Sequence, residues 1–158
     1  MKVLVAGVGY TVLRDLSFGP EMVRKFQLLE WPQNVEVEDL SYGPVAVIQK
    51  LTEKKYGKII LIGAVKRNRP AGTLHKYRPR GSLPDEEEIQ GRMGEGVAGV
   101  ISLDSLLILG RFYQAFPENV VVIEVEPEDD SWGEGFTPGV EEAVEKVTQM
   151  VREEVGIV

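Results

Sequence analysis

Short apolar runs alternate along the chain with amphipathic stretches, and this alternation predicts strands and helices in turn. Residues 2–7, 59–62 and 120–125 are nearly continuous apolar runs, as expected for strands buried on both faces. Apolar positions at three- and four-residue spacing predict helices over about residues 20–30, 43–55, 102–115 and from residue 138 onward.

Two further segments predict less buried strands. Val35–Glu38 alternates apolar and acidic residues and is typical of a half-exposed strand, while residues 72–77 predict an edge strand. Residues 79–98 are rich in Pro, Gly and acids and predict an irregular excursion with a helical turn. Together these elements predict a three-layer α/β/α sandwich. Its sheet is expected to have about five strands, twisted and mostly parallel with one antiparallel edge strand, in a single domain over residues 1–158.

Composition narrows the class of protein. The chain has 18 basic and 25 acidic residues, and its net charge of −7 argues against nucleic-acid binding. No apolar run approaches the ~18–20 residues of a membrane span, and the N-terminus shows no signal-peptide pattern. The absence of Cys excludes disulfides and thiolate metal sites. We therefore expect a cytoplasmic protein that acts neither on nucleic acid nor in a membrane.

Positive charge is concentrated in one stretch. Residues 66–80 contain six Lys or Arg and no acid, and the acidic run Asp85–Glu88 follows closely. The simplest interpretation is a solvated edge strand and loop. A second is a site for an anion or an acidic partner, formed by Lys66, Arg67 and Arg69, since Arg suits bidentate recognition of carboxylate or phosphate. A third is that these cations pair with residues 85–88 of another copy and build a homodimer.

Three loops are expected to meet at the carboxyl end of the sheet, where this fold class binds ligands: residues 7–19, 63–72 and 126–137. Gly7 and Gly9 could begin a dinucleotide fingerprint, but Val12 stands in its third glycine position and the helix begins too late to hold a pyrophosphate. With no Cys, Cys–His catalysis is excluded, and no G-x-S-x-G elbow is present. A pair of carboxylates for acid–base work stays open, because the sequence does not say which acids converge.

Three segments carry a recognisable order of motifs. The first is KVLVAGVGYTVLRDLSFG, with Gly7, Gly9, Asp15 and Gly19. The second has Ala71-Gly72-Thr73, and the third has Glu126-Pro127, Gly135 and Thr137-Pro138. In this order and spacing the chain resembles the hydrogenase maturation proteases, nickel-dependent endopeptidases that trim the C-terminus of a nickel–iron hydrogenase large subunit. The resemblance implies a hydrogenase large subunit as partner, a catalytic role for Asp15, and a structural role for the loop glycines Gly7, Gly9, Gly19 and Gly72.

The departures from the resemblance fall on the metal ligands. By this resemblance, the three positions that hold metal ligands in the family fall at Leu16, at Gly63 and near the start of the helix at about 102–115. At the third position the segment GVAGVISLDSLL has no His. The only histidine, His75, is expected on the edge strand. Asp104 and the acids at 126 and 128–130 could supply oxygens, but a helix cap and a charged loop are their simpler interpretations. Since a divalent metal needs several converging N or O donors, we predict that the chain binds no metal cofactor, although the family uses nickel.

Two classes of function follow. One is a divergent hydrogenase maturation endopeptidase that acts on the large subunit without the metal or has lost activity. The other is a non-catalytic binding protein on the same fold, which recognises an anionic ligand or acidic partner through residues 66–69.

Overall fold

The chain forms a single five-stranded sheet with helices on both faces. The computed structural model describes residues 1–81, 85–95 and 102–157. The strands are β1 (Val3–Gly7), β2 (Val35–Asp39), β3 (Lys58–Ala64), β4 (Leu74–Tyr77) and β5 (Asn119–Val125). They lie in the order β2-β1-β3-β5-β4, and every neighbouring pair is parallel except β4 with β5. The predicted mostly parallel sheet with one antiparallel edge strand is confirmed.

The helices form the outer two layers. They are α1 (Phe18–Gln27), α2 (Pro44–Lys54), α3 (Glu86–Glu95), α4 (Leu103–Phe112) and α5 (Pro138–Glu154), and a 3-10 turn over Arg14–Ser17 precedes α1. Helices α1 and α5 cover one face of the sheet, and α2, α3 and α4 cover the other. No helix in these residues is long and apolar enough to cross a membrane.

Each face of the sheet has its own apolar core, because successive strand residues point to opposite sides. In β1, Leu4 and Ala6 face α2–α4, whereas Val3 and Val5 face α1 and α5. The spacing of Val45, Ile48 and Leu51 predicts that all three point inward from the second helix, but this is wrong for Val45, which is 64% exposed. The buried stripe of α2 is Pro44, Val47 and Leu51, so Val45 lies one position away from it.

The region predicted to be irregular contains a full helix. Helix α3 spans Glu86–Glu95, within the 79–98 segment. Its start has favourable chemistry, since the Asp85 carboxylate accepts a hydrogen bond from the N–H of Glu88 at 2.9 Å and three Glu residues stand in the first turn. The helix was not predicted because Gly91 and Gly94 lie within it, and Gly is a poor helix former. The rest of that prediction, at 82–84 and 96–98, lies outside the described residues.

Candidate functional site

The first and third loops at the carboxyl end of the sheet are joined through one buried carboxylate. Asp15, fully buried in the 3-10 turn, accepts hydrogen bonds from the backbone N–H groups of Glu128 and Asp129 at 2.8 and 3.0 Å. It also accepts from the N–H of Thr137 at 2.9 Å and from its hydroxyl at 2.8 Å. Both carboxylate oxygens are therefore engaged by donors of the third loop. The catalytic role predicted for Asp15 stays a prediction, and its contacts are those of a residue that fixes two loops.

The backbone of the first loop is held in an unusual conformation. Val12 and Arg14 have φ values of 52° and 45°, which are uncommon for non-Gly residues and especially for a β-branched one. Two backbone hydrogen bonds to the third loop stabilise this conformation. The N–H of Gly133 donates to the carbonyl oxygen of Val12 at 2.8 Å, and the N–H of Arg14 donates to the carbonyl oxygen of Gly133 at 3.2 Å. Strained backbone persists only where surrounding contacts fix it, as they do here.

The glycines of these loops stand where the backbone is crowded. A Cβ on Gly19 would lie 2.5 Å from the backbone of Val8, and one on Gly9 would lie 2.6 Å from the carbonyl oxygen of Leu16. A Cβ on Gly7 would collide with the backbone of Gly19. Gly72 combines a φ of 83° with close approach to Gly139 at the start of α5. A side chain at any of these four positions would collide with backbone; the structural role expected of the four glycines stays a prediction.

The second loop spans residues 65–73 in the structure, between β3 and β4, and is called the basic loop below. Glu126 joins it to the end of β5. This carboxylate is 5% exposed and accepts hydrogen bonds from the N–H of Arg67 at 2.8 and 3.2 Å and from the N–H of Arg69 at 3.2 Å. Two backbone bonds, between Glu126 and residues 72 and 73, complete the contact. Glu126 thus fixes the backbone of the basic loop.

The side chain of Arg67 lies between two acids and is 33% exposed. Its guanidinium donates to Glu124 at 3.0 and 3.2 Å and to Asp104, in the first turn of α4, at 2.8 and 3.2 Å. Glu124 is 2% exposed and also accepts from the Tyr77 hydroxyl at 3.1 Å. Hydrogen bonds to Glu124 raise the pKa of Arg67 further above its ordinary value, against an opposing effect of burial and with a further rise from Asp104. The pKa of Tyr77 is raised because its hydroxyl is buried beside the negative charge of Glu124.

Sequence reasoning missed Glu124 as a site residue. The run VVVIEV predicts a central strand. A single Glu in a strand buried on both faces also indicates a positively charged partner. That signal could have identified Glu124, but not its partner, because Arg67 is 57 positions away.

The other two cations of the loop remain on the surface. Lys66 is exposed, and its Nζ lies 3.4 Å from Asp130. Arg69 is exposed, and within the described chain its guanidinium has no side-chain partner. Of the three predicted binding residues, Lys66 and Arg69 are exposed, whereas the guanidinium of Arg67 is bound to Glu124 and Asp104. That these residues bind an anion or a partner stays a prediction. The homodimer contact with residues 85–88 stays a prediction.

The described donors do not fit the metal implied by the resemblance. Leu16 is a half-buried apolar side chain, and Gly63 has none. The carboxylate of Asp15 is occupied by N–H and O–H donors and that of Glu124 by Arg67, as described above. The third ligand position implied by the resemblance falls near the start of α4, and residues 96–101 of that segment lie outside the described residues. His75 lies on edge strand β4 as expected, opposite Glu124 and stacked on Tyr77. Among the described residues no three His, Asp or Glu side chains converge as metal ligands.

A cleft of about 300 Å³ opens between the first and third loops beside α1. It is lined by Arg14, Arg24 and Lys25, but also by Glu21, Glu134 and Glu141. Its charges balance, so it does not by itself indicate an anionic or a cationic ligand.

Comparison with known proteins shows what the chain is similar to. No family profile matches the chain. The coenzyme F420 hydrogenase subunit delta of Methanothermobacter thermautotrophicus is 26% identical over 164 residues, which cover 99% of this chain and 96% of that protein. The hydrogenase maturating endopeptidase HybD of E. coli has a TM-score of 0.70 and 25% identity, with 99% of this chain and 94% of that chain covered.

A third protein shows the same fold at lower identity. The hydrogenase maturation protease HycI of Thermococcus kodakarensis KOD1 has a TM-score of 0.72 and 15% identity, covering 98% of this chain and 92% of that one. The fold and the strand-end loops of this chain are thus similar to those of hydrogenase maturation proteases. This chain resembles a hydrogenase maturation endopeptidase over nearly its whole length.

Proposed function

We propose that the protein takes part in the maturation of a nickel–iron hydrogenase by binding the C-terminal region of the large subunit. The observation that carries the proposal is the likeness to HybD, which extends over 99% of the chain at 25% identity. The Methanothermobacter relative, named as a subunit of a coenzyme F420 hydrogenase, also supports a hydrogenase as the partner.

The basic loop is the proposed contact surface. Lys66 and Arg69 are exposed at the carboxyl end of β3, where this fold class binds ligands. Glu126 binds the backbone N–H groups of Arg67 and Arg69, so the backbone of the loop is fixed before a partner arrives. A C-terminal segment ends in a carboxylate, which Arg and Lys recognise well. The anionic group that the sequence predicts for this loop is then part of the large subunit.

Cleavage through a bound nickel ion forms no part of this proposal. The residues at the implied ligand positions 16 and 63 are apolar or lack a side chain, and Asp15 is engaged by the third loop. We infer that the chain binds the large subunit as a divergent maturation endopeptidase whose interaction is independent of nickel.

The experiment compares two forms of a hydrogenase large subunit, one with its C-terminal extension and one truncated at the processing site. Calorimetry should show binding of the extended form and at least tenfold weaker binding of the truncated form. The variant Lys66→Gln/Arg69→Gln should also bind at least tenfold more weakly. A matched control, Lys54→Gln/Lys146→Gln, removes two exposed cations from α2 and α5 and should bind like the wild type. Equal binding of both large-subunit forms would contradict the proposal.

A further inference from the structure

At the ends of β3 and β5, Gly63, which has no side chain, lies next to the buried carboxylate of Glu124. Gly63 and Glu124 are directly paired in the parallel register, on the face of the sheet that α4 covers. Glu124 is 2% exposed, and a buried carboxylate is costly unless it is paired and hydrogen-bonded. A buried carboxylate at this point of the fold is stabilised by a positive partner and by hydrogen-bond donors such as the Tyr77 hydroxyl.

Arg67 supplies that positive group from within the chain. Its guanidinium makes two hydrogen bonds to Glu124 on β5 and two to Asp104 on α4, while its backbone N–H binds Glu126. One side chain thus joins the loop after β3 to the end of β5 and to the start of α4. Arg suits this role because its planar guanidinium can bind two carboxylates in a fixed geometry and keeps its charge.

The strand position beside it has no room for another carboxylate. A Cβ on Gly63 would lie 2.8 Å from the carbonyl oxygen of Val8 and 3.1 Å from a methyl group of Leu103. The first neighbour is backbone of the segment that follows β1, which cannot move aside without disturbing the sheet. An Asp here would have to displace that backbone and Leu103 before it could reach a metal ion.

We propose that Arg67 is a built-in cation that cross-links the loop after β3 to β5 and α4 at this site, and that the chain therefore neither needs nor accommodates nickel there. The proposal goes beyond the proposed function, since it concerns what holds the strand-end site together. It makes the protein insensitive to chelators and dependent on one arginine.

The first test is metal binding and thermal unfolding of the purified wild-type protein. We expect no one-to-one binding of nickel in calorimetric titration, and a melting temperature that agrees within about 1 °C in EDTA and in excess nickel. One-to-one binding in the micromolar range, or a melting temperature that EDTA lowers by several degrees, would overturn the proposal.

The second test compares the same substitution two residues apart. Arg67→Gln leaves Glu124 buried without its cation and should lower the melting temperature by roughly 5–10 °C. Arg69→Gln, on the same loop, should change it by at most about 2 °C. Arg67→Lys keeps the charge without the planar fork and should fall between the two.

If Arg67→Gln does not fold, Asp104→Asn provides the measurement, because it removes only the more exposed half of the cross-link and should lower the melting temperature by a few degrees. Stability of Arg67→Gln equal to that of Arg69→Gln would refute the cross-link. None of these readouts involves a large subunit, so their failure is distinct from failure of the proposed function.

Discussion

The carboxylate of Asp15 accepts hydrogen bonds from both the backbone N–H and the hydroxyl of Thr137, at 2.9 and 2.8 Å. Thr137 is the residue before α5, and its hydroxyl makes no capping bond to that helix. The 3-10 turn after β1 and the start of the last helix are thereby held together by one buried group. Asp15 thus contributes to the shape of the site even without a metal ion to bind.

Asp15→Asn should destabilise the protein strongly. The amide places a donor where one carboxylate oxygen now accepts, so at least one N–H or O–H of the third loop loses its partner. We expect a loss of about 3 kcal/mol in the free energy of unfolding, measured by urea denaturation. Asp130→Asn, an exposed acid of the same loop, is the control and should change it by less than about 0.5 kcal/mol. Equal stability of the two variants would show that the Asp15 bonds do not hold the loops.

Gly63→Ala tests the crowding at the end of β3. The added methyl group would meet the carbonyl oxygen of Val8 and the side chain of Leu103, so we expect a cost of about 1–3 kcal/mol. Gly91→Ala makes the same change in α3, where nothing lies within 4 Å of the new Cβ, and should stabilise by about 0.5–1 kcal/mol. Thermal unfolding of both variants provides the measurement. A neutral Gly63→Ala would mean that a side chain fits there after all.

The carboxylate of Glu154 makes the stability of the fold depend on pH in the acid range. Burial alone would raise the pKa of this carboxyl, but hydrogen bonds from Lys58 and Lys76 outweigh that effect and lower it. A carboxyl with a lowered folded-state pKa contributes stability that is present above its unfolded pKa of about 4.3 and is lost as pH falls through the lower folded value.

Glu154→Gln should therefore cost about 2 kcal/mol near pH 7 and much less near pH 3, as measured by urea unfolding across this range. Glu145→Gln changes an exposed acid of the same helix and serves as the control, with a stability curve parallel to that of the wild type. A constant difference between Glu154→Gln and the wild type at all pH values would contradict the assigned role.

The layers of the fold could be predicted from the sequence, because the spacing of apolar residues in each strand or helix indicates which of its faces is buried. Helix α5 shows this well: of its predicted stripe at 140, 144, 147, 151 and 155, Val140, Val147 and Val151 are buried, and Val144 and Val155 are partly buried against the same core. Helix α3 was missed because its start depends on a cap and three acids, whereas Gly91 and Gly94 weaken its pattern.

The site was less predictable because its contacts join distant parts of the chain. Arg67 belongs to a run of cations that looks solvated, and only the fold brings Asp104 and Glu124 to it, 37 and 57 positions away. The sequence singled out Asp15 and the basic loop, and the functions predicted for them stay predictions. It could not show that Arg67 binds two acids of the fold while Lys66 and Arg69 point to solvent.

The most direct test of the account is the affinity of the wild-type protein for an extended hydrogenase large subunit, measured by calorimetry once in EDTA and once with added nickel. The account predicts the same dissociation constant in both conditions, with the C-terminal extension left uncut by nickel addition, as checked by mass spectrometry of the large subunit. Binding that requires nickel, or removal of the extension only when nickel is supplied, would contradict it.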